Sequence, residues 1–142
     1  MFNLSGKTAL VTGATGGIGA YATQLVLNGG GTPIGVVSSE SRVKLLNEMG
    51  CDAVIDRKAE GYKFWADEVT QDESEWRRLG KKVRSLVGED PDIVFEHPGE
   101  ATFPASCIVA KRGGIVVFCA GTTGFNLTFD ARFVWMRQKR IQ

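Results

Sequence analysis

The run Gly13-Ala14-Thr15-Gly16-Gly17-Ile18-Gly19 follows the first apolar stretch of the chain and carries the most readable chemistry in it. Side chains this small let backbone N–H groups approach a pyrophosphate, and a helix beginning at the same point aims its positive end at the phosphates. Gly13, Gly17 and Gly19 fit T-G-x-x-x-G-x-G counted from Thr12, while residues 14–19 fit A-x-G-G-x-G equally well. A glycine spacing alone is weak evidence, but a strand before it and a helix after it supply the context that a dinucleotide site requires. The competing reading is a glycine turn needed only for close packing. The type of dinucleotide is read at the end of the second strand, where Ser38-Ser39 and then Arg42 stand in place of the Asp or Glu that accepts the ribose hydroxyls of NAD. Hydroxyls and a guanidinium suit a 2′-phosphate, which points to NADP(H). Arg57, after the third strand, is a candidate for the same phosphate, and Ala120-Gly121, after the fifth, complete the cofactor set. Glu40 opposes this reading, and Ser38 as a helix cap beside a solvated Arg42 is compatible with it.

Two other constellations bear on the reaction. A Tyr whose pKa is lowered by a Lys four residues on is the catalytic pair of short-chain dehydrogenases, but Tyr21 and Tyr62 are followed at that distance by Leu25 and Ala66. That chemistry is missing, although Leu4 to Gly13 reads like the head of such an enzyme. Glu96-His97 ends the fourth strand, and ligands of open parallel sheets bind beyond the carboxyl ends of the strands, so both residues are expected on the cofactor side. Cys51, Cys107 and Cys119 are widely spaced with no CxxC pair, and His97 is the single histidine, so neither a zinc site nor any other metal is expected.

The elements that position these groups alternate. Lys7 to Thr12, Pro33 to Val37, Ala53 to Ile55, Asp92 to Phe95 and Gly114 to Phe118 read as strands. Helices are expected over Ala20 to Leu27, Arg42 to Met49, a stretch including Val83, Leu86 and Val87, and Phe103 to Ala110, with one further helix over Phe129 to Lys139. Alternation at this spacing implies an α/β, Rossmann-type doubly wound parallel sheet of order 3-2-1-4-5, with Arg140-Ile141-Gln142 opening a truncated sixth strand. Residues 57–80 form a polar and aromatic insertion too rich in Tyr, Phe and Trp for disorder.

Composition excludes several classes. The 142 residues are 43% hydrophobic with a net charge of +1, so no basic field gathers nucleic acid or anionic membrane. The apolar run Ile115 to Ala120 is far shorter than a membrane span, and a soluble, cytoplasmic domain is expected.

Specific segments narrow the reading. Asp56-Arg57 with Glu60-Gly61-Tyr62-Lys63-Phe64-Trp65, then Thr70-Gln71-Asp72, Val94-Phe95-Glu96-His97-Pro98-Gly99, and Trp135-Met136 with Lys139-Arg140-Ile141 resemble the cofactor domain of crotonyl-CoA carboxylase/reductases. These medium-chain reductases use NADPH to reduce an enoyl-CoA and trap the resulting enolate with CO2. The resemblance runs from about Gly13 to the last residue and implies that residues 1–142 are the NADP-binding domain of a larger enzyme, inactive by itself. It implies that His97 helps hold CO2, through water, over the substrate α-carbon, with Glu96 beside it; a neutral imidazole can donate one hydrogen bond and accept another. The remaining groups of that CO2 pocket belong to a substrate domain not found in this sequence. It also places the insertion near the CoA tail, making Tyr62, Lys63 and Arg84 candidates for adenine stacking and phosphate contact; Ala66 departs from the family's frequent Lys. A solvated helix face anchored by a Trp is the other reading of that segment. Acyl-CoA, CO2 and further copies of the chain in a homo-oligomer are the expected partners. A reductase of the same superfamily that never carboxylates, and a nucleotide-binding or assembly module, are the alternatives.

Overall fold

The computed structural model describes residues 2–142. Six strands and five helices follow one another as β1 (Thr8–Thr12), α1 (Gly17–Asn28), β2 (Thr32–Val37), α2 (Glu40–Glu48), β3 (Ala53–Asp56), α3 (Glu73–Val87), β4 (Ile93–Glu96), α4 (Phe103–Val109), β5 (Ile115–Phe118), α5 (Arg132–Trp135) and β6 (Arg140–Ile141). All neighbouring strands pair in parallel, in the order β3-β2-β1-β4-β5-β6. The expected order therefore holds, and the short sixth strand lies at the edge beside β5.

β1 is buried along its whole length because successive side chains feed two different cores. Leu10 belongs to the larger core with Ile34, Ile55, Trp76, Phe103 and Val116, whereas Val11 belongs to the smaller one with Ala14, Val37 and Leu46. Each such side chain, fully buried, contributes roughly 1.5–3 kcal/mol, which is what holds the central strand and its exit turn in place.

Residues 57–80 divide into two parts. The first loops back over the larger core: Tyr62 and Phe64 are buried in it, and Trp65 donates its indole N–H to the Ala101 carbonyl at 3.1 Å. The second is the first half of α3, begun by Asp72, whose carboxylate accepts from the Ser74 and Glu75 amides, and ended at Gly88 in a left-handed conformation at φ 85°.

The expected helix over Phe129 to Lys139 is corrected to the four residues of α5. Gln138 takes a positive φ of 53°, which reverses the chain, and Lys139 is drawn inward. Its ammonium donates to the carbonyls of Cys107 at 2.7 Å and Ile108 at 2.9 Å, at the C-terminal end of α4, a match of cation to helix end. The cost is burial: Lys139 is 8% exposed, and loss of hydration pulls its pKa down to about 8. From about pH 8 up to the ordinary value of 10.5 the unfolded chain holds a proton that the native chain has shed. Stability is thus raised with pH across that window, by about 1.4 kcal/mol per unit at most, while below it the full cost of the charged form is present. Urea midpoints of the wild type and Lys139→Met at about pH 7.5 and about pH 9.5 check this. The difference should move in favour of the wild type at the higher pH; both chains carry Cys107→Ala for the comparison, because that thiol is pushed up to about 12 by burial and pulled down by Lys139 itself. An unchanged difference would mean that Lys139 titrates normally.

Candidate functional site

A cleft of about 360 Å³ opens at the carboxyl ends of β1, β2 and β4. Its floor is the exit of β1, where Gly13 turns at φ 63° and the Gly16 amide donates to the Gly13 carbonyl at 3.0 Å. α1 starts one residue later than this bond, so Gly17 and Gly19 lie within its first turn rather than before it. Gly16 offers no side-chain cap and the first turn has no acidic residue, leaving the first amides of a twelve-residue helix free for an anion.

The glycines differ in what they do. A Cβ on Gly19 would overlap the Gly13 carbonyl oxygen, with the carbonyl carbon at 2.9 Å, so Gly19 allows the helix to sit on the turn. A Cβ on Gly17 would meet nothing within 4 Å. Ile18 is exposed beside it, and Ala14 is buried below, its amide donating to Val36 at 3.4 Å.

On one side of the cleft the end of β2 brings Ser38 and Arg42 together, with Arg42 Nη1 donating to Ser38 Oγ at 3.2 Å. Arg57 lines the same wall, its guanidinium 5.9 Å from the Phe64 ring centroid. Among the described residues no carboxylate lines the cleft. Glu40, the opposing charge in the sequence, reaches away to Lys44 at 3.3 Å. Ser39 stands at the N-cap of α2 with its hydroxyl 3.2 Å from that of Ser41, and does not line the cleft.

On the other side are His97 and Pro98. Thr12 ties them to the floor: its hydroxyl accepts the His97 amide at 3.1 Å and donates to the Phe95 carbonyl at 3.1 Å. The Pro98 carbonyl in turn accepts from the amide and hydroxyl of Thr123 at 2.9 and 2.8 Å. Thr12, Thr102, Thr122 and Thr123 all line the cleft and were not singled out in the sequence. Their signal was present, since each follows or ends a strand on the binding side of the sheet.

Four expectations are corrected. Glu96 does not face the cleft: it is fully buried, and burial pushes its pKa up against the pull of the Ser106, Thr102 and Gly99 donors around it. Ala120 and Gly121 line a separate apolar hollow with Phe118, Cys119, Phe125 and Leu127. Tyr62 cannot stack on a free adenine, because its ring is buried and Arg78 covers it at 3.8 Å. Lys63 and Arg84 are not brought together: the Lys63 amide meets Glu75 on one side of α3, while Arg84 pairs with Asp90 at 2.5 Å in a groove with Arg77, Lys81 and Arg137.

The chain matches the zinc-binding dehydrogenase family over residues 17–142. It is 54% identical over 137 residues to a crotonyl-CoA reductase of Streptomyces avermitilis, spanning 96% of this chain and 31% of that protein. It is 48% identical over 146 residues to a crotonyl-CoA carboxylase/reductase of Cereibacter sphaeroides, spanning 96% of this chain and 34% of the relative. Among solved structures, the 2-octenoyl-CoA carboxylase reductase CinF in complex with NADP and 2-octenoyl-CoA superposes with a TM-score of 0.90 at 44% identity, over 99% of this chain and 32% of that one. The chain thus spans about a third of the length of these relatives. The metal in the family's name finds no ligand set: Cys51 and Cys107 are buried, Cys119 is exposed, and among the described residues no three His, Cys, Asp or Glu side chains converge. Also among the described residues, no helix is long and apolar enough to cross a membrane.

Proposed function

The chain belongs to the zinc-binding dehydrogenase family, and from that premise we propose that residues 1–142 are the NADPH-binding domain of a larger reductase that reduces an enoyl-CoA and captures CO2 on the product enolate. The observation that carries this reading is the convergence of Ser38, Arg42 and Arg57 with the uncapped start of α1 and with His97 in one cleft that, among the described residues, no carboxylate lines. When bound there, NADPH supplies the hydride. The amides at Gly17, Ile18 and Gly19 hold the pyrophosphate, Ser38 with the two arginines holds the 2′-phosphate, and His97 orients water and CO2 at the opposite wall. The names of the similar proteins support the acyl-CoA substrate and the nicotinamide.

The CoA tail is assigned to Arg84 and its cationic groove rather than to Tyr62, whose ring is occupied by Arg78. The exposed edge at β6 is assigned to contact with a second copy in a homo-oligomer.

The test compares the two cofactors. NADPH should bind the chain at least roughly tenfold more tightly than NADH, since a charge-assisted contact to the extra phosphate contributes about 1.5 kcal/mol or more. Arg42→Ala should remove most of that preference while leaving NADH affinity near its starting value. Equal dissociation constants for the two cofactors by calorimetry, or an Arg42→Ala chain that keeps the preference, would overturn the assignment.

A further inference from the structure

Glu96 is fully buried at the end of β4, and no cation pairs with it among the described residues. Instead three neutral donors surround its carboxylate. Oε1 accepts from the Gly99 amide at 3.0 Å and the Thr102 hydroxyl at 2.6 Å, and Oε2 accepts from the Ser106 hydroxyl. These donors are spread over two structural parts. Gly99 closes the turn that begins with His97 and Pro98, whereas Thr102 and Ser106 cap and form α4.

The turn has little freedom to find this shape unaided. Gly99 holds a φ of 92°, and a Cβ there would approach Gly121 Cα and the Gly124 carbonyl, each at 2.8 Å. On its other flank, the His97 ring lies against Gly13, where a Cβ would meet Nδ1 at 3.5 Å. His97 is therefore placed by two anchors, Thr12 below and the Gly99 end of its own turn. The Gly99 carbonyl accepts the Thr102 and Phe103 amides at 3.0 and 2.8 Å, and Glu96 adds the side-chain tie that joins the Gly99 amide to the Thr102 and Ser106 hydroxyls.

We propose that Glu96 is a positioning residue: its enclosed carboxylate clamps the Gly99 amide to Thr102 and Ser106 and thereby fixes His97, Pro98 and Thr102 as the far wall of the nucleotide cleft. The assignment rests on the reading of that cleft as an NADPH site, but half of its test does not. An apolar group at this place would leave an amide and two hydroxyls without acceptors, and an exposed group could not hold all three. Glutamine keeps an acceptor for Gly99 and Thr102 and lets the Ser106 hydroxyl rotate to accept, so it preserves the clamp without the charge. Leucine preserves much of the volume and loses the clamp.

The test uses the chain's single histidine as its own reporter, because the imidazole signals in a proton NMR spectrum can come only from His97. Glu96→Gln should leave those signals close to wild type and NADPH affinity within about threefold. Glu96→Leu should displace or broaden them and weaken NADPH binding roughly 5- to 20-fold. Should the leucine chain fail to fold, Thr102→Val with Ser106→Ala removes donors from the other side of the clamp and is expected to move the same signals. His97 signals that stay in place in both the leucine and the double variant, with only the melting temperature lowered, would show a packing role and overturn the proposal. A wild-type chain that does not bind NADPH would instead overturn the cofactor assignment, leaving the NMR comparison intact.

Discussion

Gly17→Val is expected to leave the chain folded while lowering its affinity for NADPH by roughly a hundredfold or more, a loss of about 3 kcal/mol. Among the described residues nothing lies within 4 Å of a Cβ at this position, so the first carbon of the new side chain meets no neighbour in the native fold. It would meet the ligand. Gly17 supplies the first amide of α1, and two methyl groups beside it stand where a pyrophosphate must come within hydrogen-bonding distance. Gly19→Ala is the matched control with the opposite signature. There a single methyl group overlaps the Gly13 carbonyl, so the variant should lose roughly 1–3 kcal/mol of stability and several degrees of melting temperature. Circular dichroism melts and NADPH fluorescence titrations on both variants separate the two roles. A folded Gly17→Val chain that binds NADPH normally would place the phosphates elsewhere.

In the carboxylating reductase proposed above, His97→Ala should weaken carboxylation more than hydride transfer. In the binding mode proposed above the dinucleotide is held mainly from the α1 and β2 sides of the cleft, whereas His97 lines the opposite wall and would position water there. Losing one positioned hydrogen-bonding group costs about 1–3 kcal/mol at the step it serves, roughly a 5- to 150-fold loss. An enolate that is not met by CO2 takes up a proton, so products should shift from carboxylated to simply reduced acyl-CoA. Labelled bicarbonate and total NADPH consumption, measured together, give the ratio. Equal loss of both activities would make His97 a cofactor-positioning residue. No change in either would remove it from the reaction.

What could be read from the chain, and what could not, divides along the range of the interactions involved. The strand order follows from patterns a few residues long, apolar runs punctuated by Gly13, Gly31 and Gly50, and holds; the glycine turn stands after β1 as expected, but α1 begins at Gly17 within it rather than at Ala20. Arg42 and Arg57 were legible because the topology alone carries the ends of β2 and β3 to the same edge of the cleft. Tyr62 and Glu96 were not. Each is polar in sequence and buried in the fold, one beneath Arg78 on a helix sixteen positions later, the other among donors from α4. The expected helix at Phe129 to Lys139 failed for a related reason, since the pull on Lys139 comes from carbonyls more than thirty residues earlier. Thr122 and Thr123 needed only the rule that loops at the carboxyl ends of strands line the site, which here extends just past the expected Ala120 and Gly121.

The two ends of α4 are held by side chains from opposite directions, Glu96 at the first turn and Lys139 at the last carbonyls. This has a consequence for the order in which the chain is made. During synthesis the backbone bonds of the β1 turn, α1 and the Ser38–Arg42 corner lie within β1 to β3, so this corner can begin to form as those strands emerge, ahead of the Trp76, Phe103 and Val116 side of the core that later fixes β1. The wall bearing His97 waits: β4 must pair with β1 across more than eighty residues, and α4 is not secured until Lys139 leaves the ribosome. A nascent chain therefore presents the phosphate-binding half of its cleft before the half that faces the reaction.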